Sequence, residues 1–131
     1  MIVLDASAIV ELLLGTRLGR SIAECLADPG LALHTPHLAD VEVAQALRRY
    51  VREGEIDLGS AETAIDELHS LDVERHAHEP LLDRVWARRQ NLTAYDAVYV
   101  ALAEALGARL LTCDSRLARS PGLANVVELV R

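Results

Sequence analysis

Most of the 20 Asp and Glu residues stand on the polar faces of amphipathic helices. Four do not. Asp5 directly follows the apolar run Ile2-Val3-Leu4, and Asp114 follows Leu110-Leu111-Thr112-Cys113. Each therefore falls at the carboxyl end of an expected strand. Glu42 lies between Val41 and Val43, in the first turns of an expected helix. Asp96 interrupts the stretch from Tyr95 to Ala103, which is otherwise apolar on every helical face and reads as largely buried. A carboxylate in such surroundings is costly unless it is paired, hydrogen-bonded or bound to a metal. Each also has a plain structural reading. Asp5 and Asp114 suit helix N-caps. Glu42 could pair with Arg49 or sit solvated near the helix start, where the macrodipole favours an acid. Asp96 could bond to backbone or to a tyrosine.

The set of four says more than any member. Carboxylates that meet in one pocket repel one another, and their pKa values rise unless a cation is present. An all-oxygen donor set suits Mg²⁺ or Mn²⁺ rather than Zn²⁺. One or two such ions would orient a phosphodiester, acidify an attacking water and stabilise the leaving oxygen. The expected chemistry is in-line hydrolysis of a phosphate ester.

The elements that must position these acids alternate along the chain. Strands are expected at 2–4, 31–35, 109–112 and 126–129, with another beginning in 71–73. Helices are expected over 7–14, 17–27, 38–52, 58–71, 79–89, 93–106 and 115–118. The third of these places Leu38, Val41, Ala44, Leu47 and Val51 on one face, and the fourth Leu58, Ala61, Ile65, Leu68 and Leu71. Such alternation predicts a three-layer α/β/α domain with a largely parallel central sheet and helices on both faces. Ligands in such folds bind beyond the carboxyl ends of the strands. No repeat or linker divides the chain, so residues 1–131 read as a single domain.

Composition narrows the function. The chain is 51% hydrophobic and 25% charged, which excludes disorder. No apolar run approaches the ~20 residues of a bilayer span. Met1-Ile-Val-Leu-Asp5 has no basic region and does not read as a signal peptide, so a cytosolic protein is expected. Cys25 and Cys113 match no metal or redox spacing and are expected to be small buried hydrophobes. A net charge of −7 argues against a general electrostatic nucleic-acid binder. Metal in the acidic pocket would remove that objection, and all 13 basic residues are Arg, the better bidentate phosphate ligand. The absence of Lys excludes receiver-type phosphoacceptors and haloacid-dehalogenase-like phosphatases, which need one. No Gly-rich phosphate loop is present.

Leu4-Asp5-Ala6-Ser7, the stretch Asp40-Val41-Glu42-Val43 through Arg49, Leu92-Thr93-Ala94-Tyr95-Asp96 through Glu104, and Leu111-Thr112-Cys113-Asp114 together resemble the PIN-domain ribonucleases. The closest likeness is to the VapC-type toxins of bacterial toxin–antitoxin pairs, over essentially the whole chain, in order and spacing. The resemblance implies a PIN-like fold and a Mg²⁺- or Mn²⁺-dependent endoribonuclease. Asp5, Glu42, Asp96 and Asp114 would be its metal-binding catalytic acids. Ser7 and Thr112 would be hydroxyls that orient carboxylates or water. A homodimer is implied too, and a small antitoxin whose C-terminal segment lies near the acids and blocks them. A PIN nuclease of RNA maturation and a non-catalytic binding module stand as alternatives; the small size favours the toxin.

Other residues draw attention on their own chemistry. Arg116, two residues after Asp114, could contact phosphate or the antitoxin, or be a solvated helix arginine. Arg48, Arg49 and Arg52, and Arg84, Arg88 and Arg89, form two basic stretches, read as solvated faces that could meet an RNA backbone. Trp86, the one Trp, could be core, a dimer contact or a base-stacking platform, and is expected to pack. His69, His76 and His78 cluster loosely; His76-Ala77-His78 with Glu79 resembles a metal spacing weakly and is expected in solvated loop instead.

Overall fold

The computed structural model describes residues 1–131. Five strands form one sheet: β1 (Ile2–Leu4), β2 (Leu33–Pro36), β3 (Glu74–His76), β4 (Arg109–Thr112) and β5 (Val127–Leu129). Their order is β3-β2-β1-β4-β5, and every pair is parallel. The helices are α1 (Ala6–Leu14), α2 (Arg17–Cys25), α3 (Leu38–Arg52), α4 (Leu58–Ser70), α5 (Leu82–Ala87), α6 (Ala94–Leu106) and α7 (Ser115–Ala118). The chain walks outward from β1 to β2 and β3, then returns to the other side of β1 to lay down β4 and β5. Right-handed crossovers put helices from opposite walks on opposite faces. The packing agrees: α1 contacts α2, α3 and α4, whereas α6 contacts α5 and lies across β1, β2 and β4. The strand order reverses between β1 and β4, and a crevice opens at such a switch point.

Local sequence explains most boundaries. Asp5, Thr16, Asp57 and Thr93 each accept a backbone N–H in the first turn of α1, α2, α4 and α6. Gly107 closes α6 with φ +63°, a conformation that strains any residue with a Cβ. The run Ala97–Ala103 is buried on every face, as its composition demands. It packs on a sheet whose Val3, Leu4, Leu110 and Leu111 are also buried.

Gly19 sets the approach of α2 to α1. A Cβ there would lie 1.9 Å from the Glu11 carbonyl oxygen, in backbone that cannot yield. Gly19→Ala is expected to lower unfolding free energy by roughly 3 kcal/mol, measured by urea denaturation.

Several expectations need correction. The α3 stripe predicted from spacing is not the core face. Ala39, Val43 and Leu47 are buried, while Val41 is 68% exposed. Likewise Ala61, Ala64 and Leu68 anchor α4, and Leu58 is exposed. Ala44, Leu47 and Val51 instead face Leu58, Ala61 and Ile65 across an open groove between α3 and α4. An apolar stripe marks what can be covered, not which neighbour covers it. The helix expected over 79–89 splits into a 3₁₀ turn at Glu79–Leu81, which holds Pro80, and the short α5. The third strand lies at 74–76 rather than 71–73; as an edge strand it tolerates polar residues. Cys25 is exposed and Cys113 only half-buried. Trp86 does not pack into the core: it is 68% exposed, with the Arg89 guanidinium 5.0 Å from its ring centre.

Candidate metal centre

The four acids come from four elements and line one pocket of about 350 Å³. Asp5 follows the last residue of β1, and Asp114 lies two residues past the end of β4, on the two sides of the switch point. Glu42 comes from the second turn of α3 and Asp96 from the first turn of α6.

Asp5 is the most constrained of the four and only 6% exposed. Its Oδ1 accepts from Ser7 Oγ at 2.6 Å and from the Ala8 N–H at 2.9 Å. Its Oδ2 accepts from Thr112 Oγ1. Thr112 Oγ1 in turn accepts the Asp114 N–H at 3.0 Å, and Ser7 Oγ accepts the Cys113 N–H at 3.0 Å. The two hydroxyls therefore tie the end of β1 to the turn after β4. The N-cap reading and the ligand reading of Asp5 are compatible, because each carboxylate oxygen has two lone pairs. The same holds for Asp114. Its Oδ1 caps α7 through the Arg116 and Leu117 N–H groups, which leaves Oδ2 without an N–H partner from that cap.

Glu42 Oε1 accepts from Tyr99 Oη at 2.6 Å. Tyr99 also lines the pocket and was not singled out by sequence. The available signal was its position three residues after Asp96, on the same face of α6. Arg49, one of the predicted basic stretch, lines the pocket as well. Arg116 is largely exposed, with its guanidinium 3.5 Å from Asp114 Oδ2 and 3.8 Å from Asp96 Oδ2. Arg88 is no solvated arginine: it forms a two-point pair with Glu104 at 2.8 and 3.2 Å.

The electrostatics match the packing. Burial pushes the Asp5 carboxyl up to about 6, against the pull of its bonds to Ser7, Thr112 and Ala8, and the Asp114 charge adds to the rise. Burial also raises Glu42, with Asp96 adding and the Tyr99 bond opposing. Asp96 rises through burial and then through Asp114, while Arg116 lowers it. Three acids held above their ordinary range by burial and mutual charge form a site that gains by taking up a cation. The donors are all oxygens, so the set fits a hard divalent ion.

Tyr99→Phe removes the hydroxyl that holds Glu42 and lets its pKa rise further. Metal-dependent turnover at neutral pH is expected to fall roughly 10-fold. The acid limb of the pH–rate profile should move to higher pH. An unchanged profile would mean that Tyr99 does not orient Glu42.

A parallel α/β sheet with a carboxylate pocket at its switch point defines the structural class. The PIN domain family matches residues 2–123. Ribonuclease VapC1 of Mycobacterium tuberculosis is 45% identical over 130 residues, which cover 98% of this chain and 97% of the relative. Ribonuclease VapC12 of the same organism is 43% identical, covering 99% of both chains. A chain in the structure of a toxin–antitoxin complex from Klebsiella pneumoniae superposes with a TM-score of 0.66 at 17% identity, over 98% of this chain and 96% of that one. This chain belongs to the PIN-domain family, within its VapC group. No helix is long and apolar enough to cross a membrane.

Proposed function

We propose that this chain is a metal-dependent endoribonuclease, the toxin of a type II toxin–antitoxin module, which hydrolyses RNA phosphodiester bonds with Mg²⁺ or Mn²⁺. The observation that carries the reading is the convergence of Asp5, Glu42, Asp96 and Asp114 on one pocket. Full-length relatives named as ribonucleases support it.

In this reading the four carboxylates hold the cation. A divalent ion bound there supplies positive charge for the scissile phosphate and lowers the pKa of water. The chain's own groups do the rest. Ser7 and Thr112 fix both oxygens of Asp5, Tyr99 fixes Glu42, and the α7 cap fixes Asp114. Arg49 and Arg116 stand at the pocket to meet backbone phosphates flanking the cut. Thr112→Val and Ser7→Ala act through Asp5 and through the Cys113–Asp114 turn that the two hydroxyls hold, so each should weaken metal affinity about 10- to 100-fold without removing a ligand. Isothermal titration with Mn²⁺ reads this directly; wild-type affinity in both variants would remove the two hydroxyls from the account.

The partners in this reading are RNA, a second copy of the chain and a small antitoxin, acting in the cytosol as a single domain over 1–131. The antitoxin's C-terminal segment lies near the acids and blocks them. Expression of the chain alone in a bacterium tests the toxin reading. Growth arrest with RNA cleavage, relieved by co-expression of the protein encoded in the neighbouring short reading frame, is expected. An active, soluble enzyme with no effect on growth would favour a nuclease of RNA maturation.

A further inference from the structure

The sheet carries a second cluster of side chains able to ligate a metal at its β3 edge, and it shares no residue with the acidic pocket. His34 of β2 stands directly opposite Glu74 of β3 in the parallel register. His76 lies two residues beyond Glu74, and strand geometry puts alternate residues on one face. Three donor atoms converge as a result. His34 Nδ1 lies 2.9 Å from His76 Nε2 and 3.4 Å from Glu74 Oε2, and all three lie within 4.8 Å of one another. We propose that His34, Glu74 and His76 form a binding site for a borderline transition-metal ion, Zn²⁺ above all.

The donor set selects the metal. Two imidazoles and one carboxylate match the three-ligand zinc sites that leave a fourth position open. Hard Mg²⁺ prefers oxygen ligands, so it should favour the acidic pocket instead. The spacing also suits the ion. Ligands at ~2.0–2.1 Å around a tetrahedral ion are separated by ~3.3 Å. The observed 2.9 and 3.4 Å fall close to that value. A hydrogen bond between two ring nitrogens requires that at least one present a lone pair, so the facing nitrogens are not both protonated.

The site is built rather than incidental. His34 is only 5% exposed, and its Nε2 is buried without a hydrogen-bond partner, so packing and the contacts of Nδ1 fix its ring. β3 is anchored from its other face. Arg75 reaches Asp40 with Nε at 2.8 and 3.1 Å and the Leu68 carbonyl oxygen with Nη2 at 3.0 Å. The backbone holds the end of the strand, where the His37 N–H donates to the His76 carbonyl at 2.8 Å. Glu74 is largely exposed, which gives the ion a way in and leaves its open position to solvent. A bound ion would pin the three-residue edge strand to β2.

By sequence spacing His76 falls with His78 and Glu79, in solvated loop. The structure puts His76 in a strand, and its partners are Glu74 and the distant His34.

The test uses the untagged full chain, freed of metal by chelator and returned to buffer with excess Mg²⁺. Titration with ZnCl₂ should show one high-affinity Zn²⁺ per chain. Co²⁺ in its place should give the visible bands of a nitrogen-ligated tetrahedral ion. His76→Gln and Glu74→Gln are expected to weaken binding at least about 100-fold, because removing a ligand costs more than removing a group that orients one. Both residues are accessible enough for these variants to fold, which keeps the test independent of the buried His34. Asp96→Asn should bind Zn²⁺ like the wild type. The proposal is overturned if no Zn²⁺ binds in the presence of Mg²⁺, if His76→Gln binds as tightly as the wild type, or if Asp96→Asn abolishes binding.

Discussion

Asp96→Asn is expected to lower RNA cleavage at least about 100-fold, and to relieve growth arrest on expression, while leaving the fold intact. The substitution is nearly isosteric. Asp96 donates its backbone N–H to Thr93 Oγ1 at 3.1 Å in the α6 cap, a bond that the Asn variant would keep, and an Asn side chain can still bond the Thr93 hydroxyl. The helix start therefore survives. What goes is one of the negative charges that make the pocket attract a cation, in a place where burial and Asp114 already work against that charge. Melting temperature in EDTA and circular dichroism should match the wild type. Cleavage of an RNA in Mg²⁺ should be lost. Retained cleavage would remove Asp96 from the metal-binding set.

The second large effect runs in opposite directions for stability and activity. Asp5→Asn should abolish cleavage yet stabilise the metal-free protein at neutral pH. Asn is as good an N-cap as Asp, and it can still meet Ser7, Ala8 and Thr112. The charge is the burden. The Asp5 carboxyl has its pKa raised from 3.8 to about 6 in the folded chain. Between those values the native state holds a proton that the unfolded chain has released. The contribution of Asp5 to stability in EDTA is therefore fully present below about pH 4 and is lost as pH rises through about 6. The gap corresponds to about 3 kcal/mol. The Asn variant should lack this fall and be more stable than the wild type by a similar amount at pH 7. Added Mg²⁺ should restore the wild type and do little for the variant, because an ion that binds only the native state stabilises it. Urea unfolding across pH 4–8, with and without Mg²⁺, reads both effects. A wild type whose stability in EDTA is flat across that range would contradict the burial argument.

The chain shows which parts of such a site are legible beforehand. Asp5 and Asp114 could be found because an acid just after a short apolar run falls at the carboxyl end of a strand, where a parallel α/β sheet makes its crevice, although an N-cap role would explain either one alone. Asp96 stood out because α6 is apolar on every face. Glu42 was the weakest of the four by itself, and only its convergence with the others, or the family likeness, gives it weight. Tyr99 was hidden because a tyrosine in an apolar helix looks like core until its hydroxyl is seen on Glu42. The parallel architecture was legible from the alternation of elements. The switch point was not, since strand order depends on long-range pairing that local periodicity does not encode. The errors have the same origin. Val41 and Leu58 are in phase with a helix stripe yet exposed, because the stripe borders a groove rather than the sheet. Trp86 belongs to a short helix that leaves it on the surface. His76 joined the wrong neighbours because its partner His34 is 42 residues away and meets it only through the β2–β3 pairing.

The central claim is that the four carboxylates act by holding a divalent cation against RNA. Its most direct test is single-turnover cleavage of an RNA by the purified full chain, titrated with Mg²⁺ after exhaustive chelation. No cleavage is expected in EDTA, recovery should saturate with Mg²⁺, and Asp5→Asn should show no recovery at any Mg²⁺ concentration. Full activity in excess EDTA, or Mg²⁺-dependent activity that survives Asp5→Asn, would contradict the central claim.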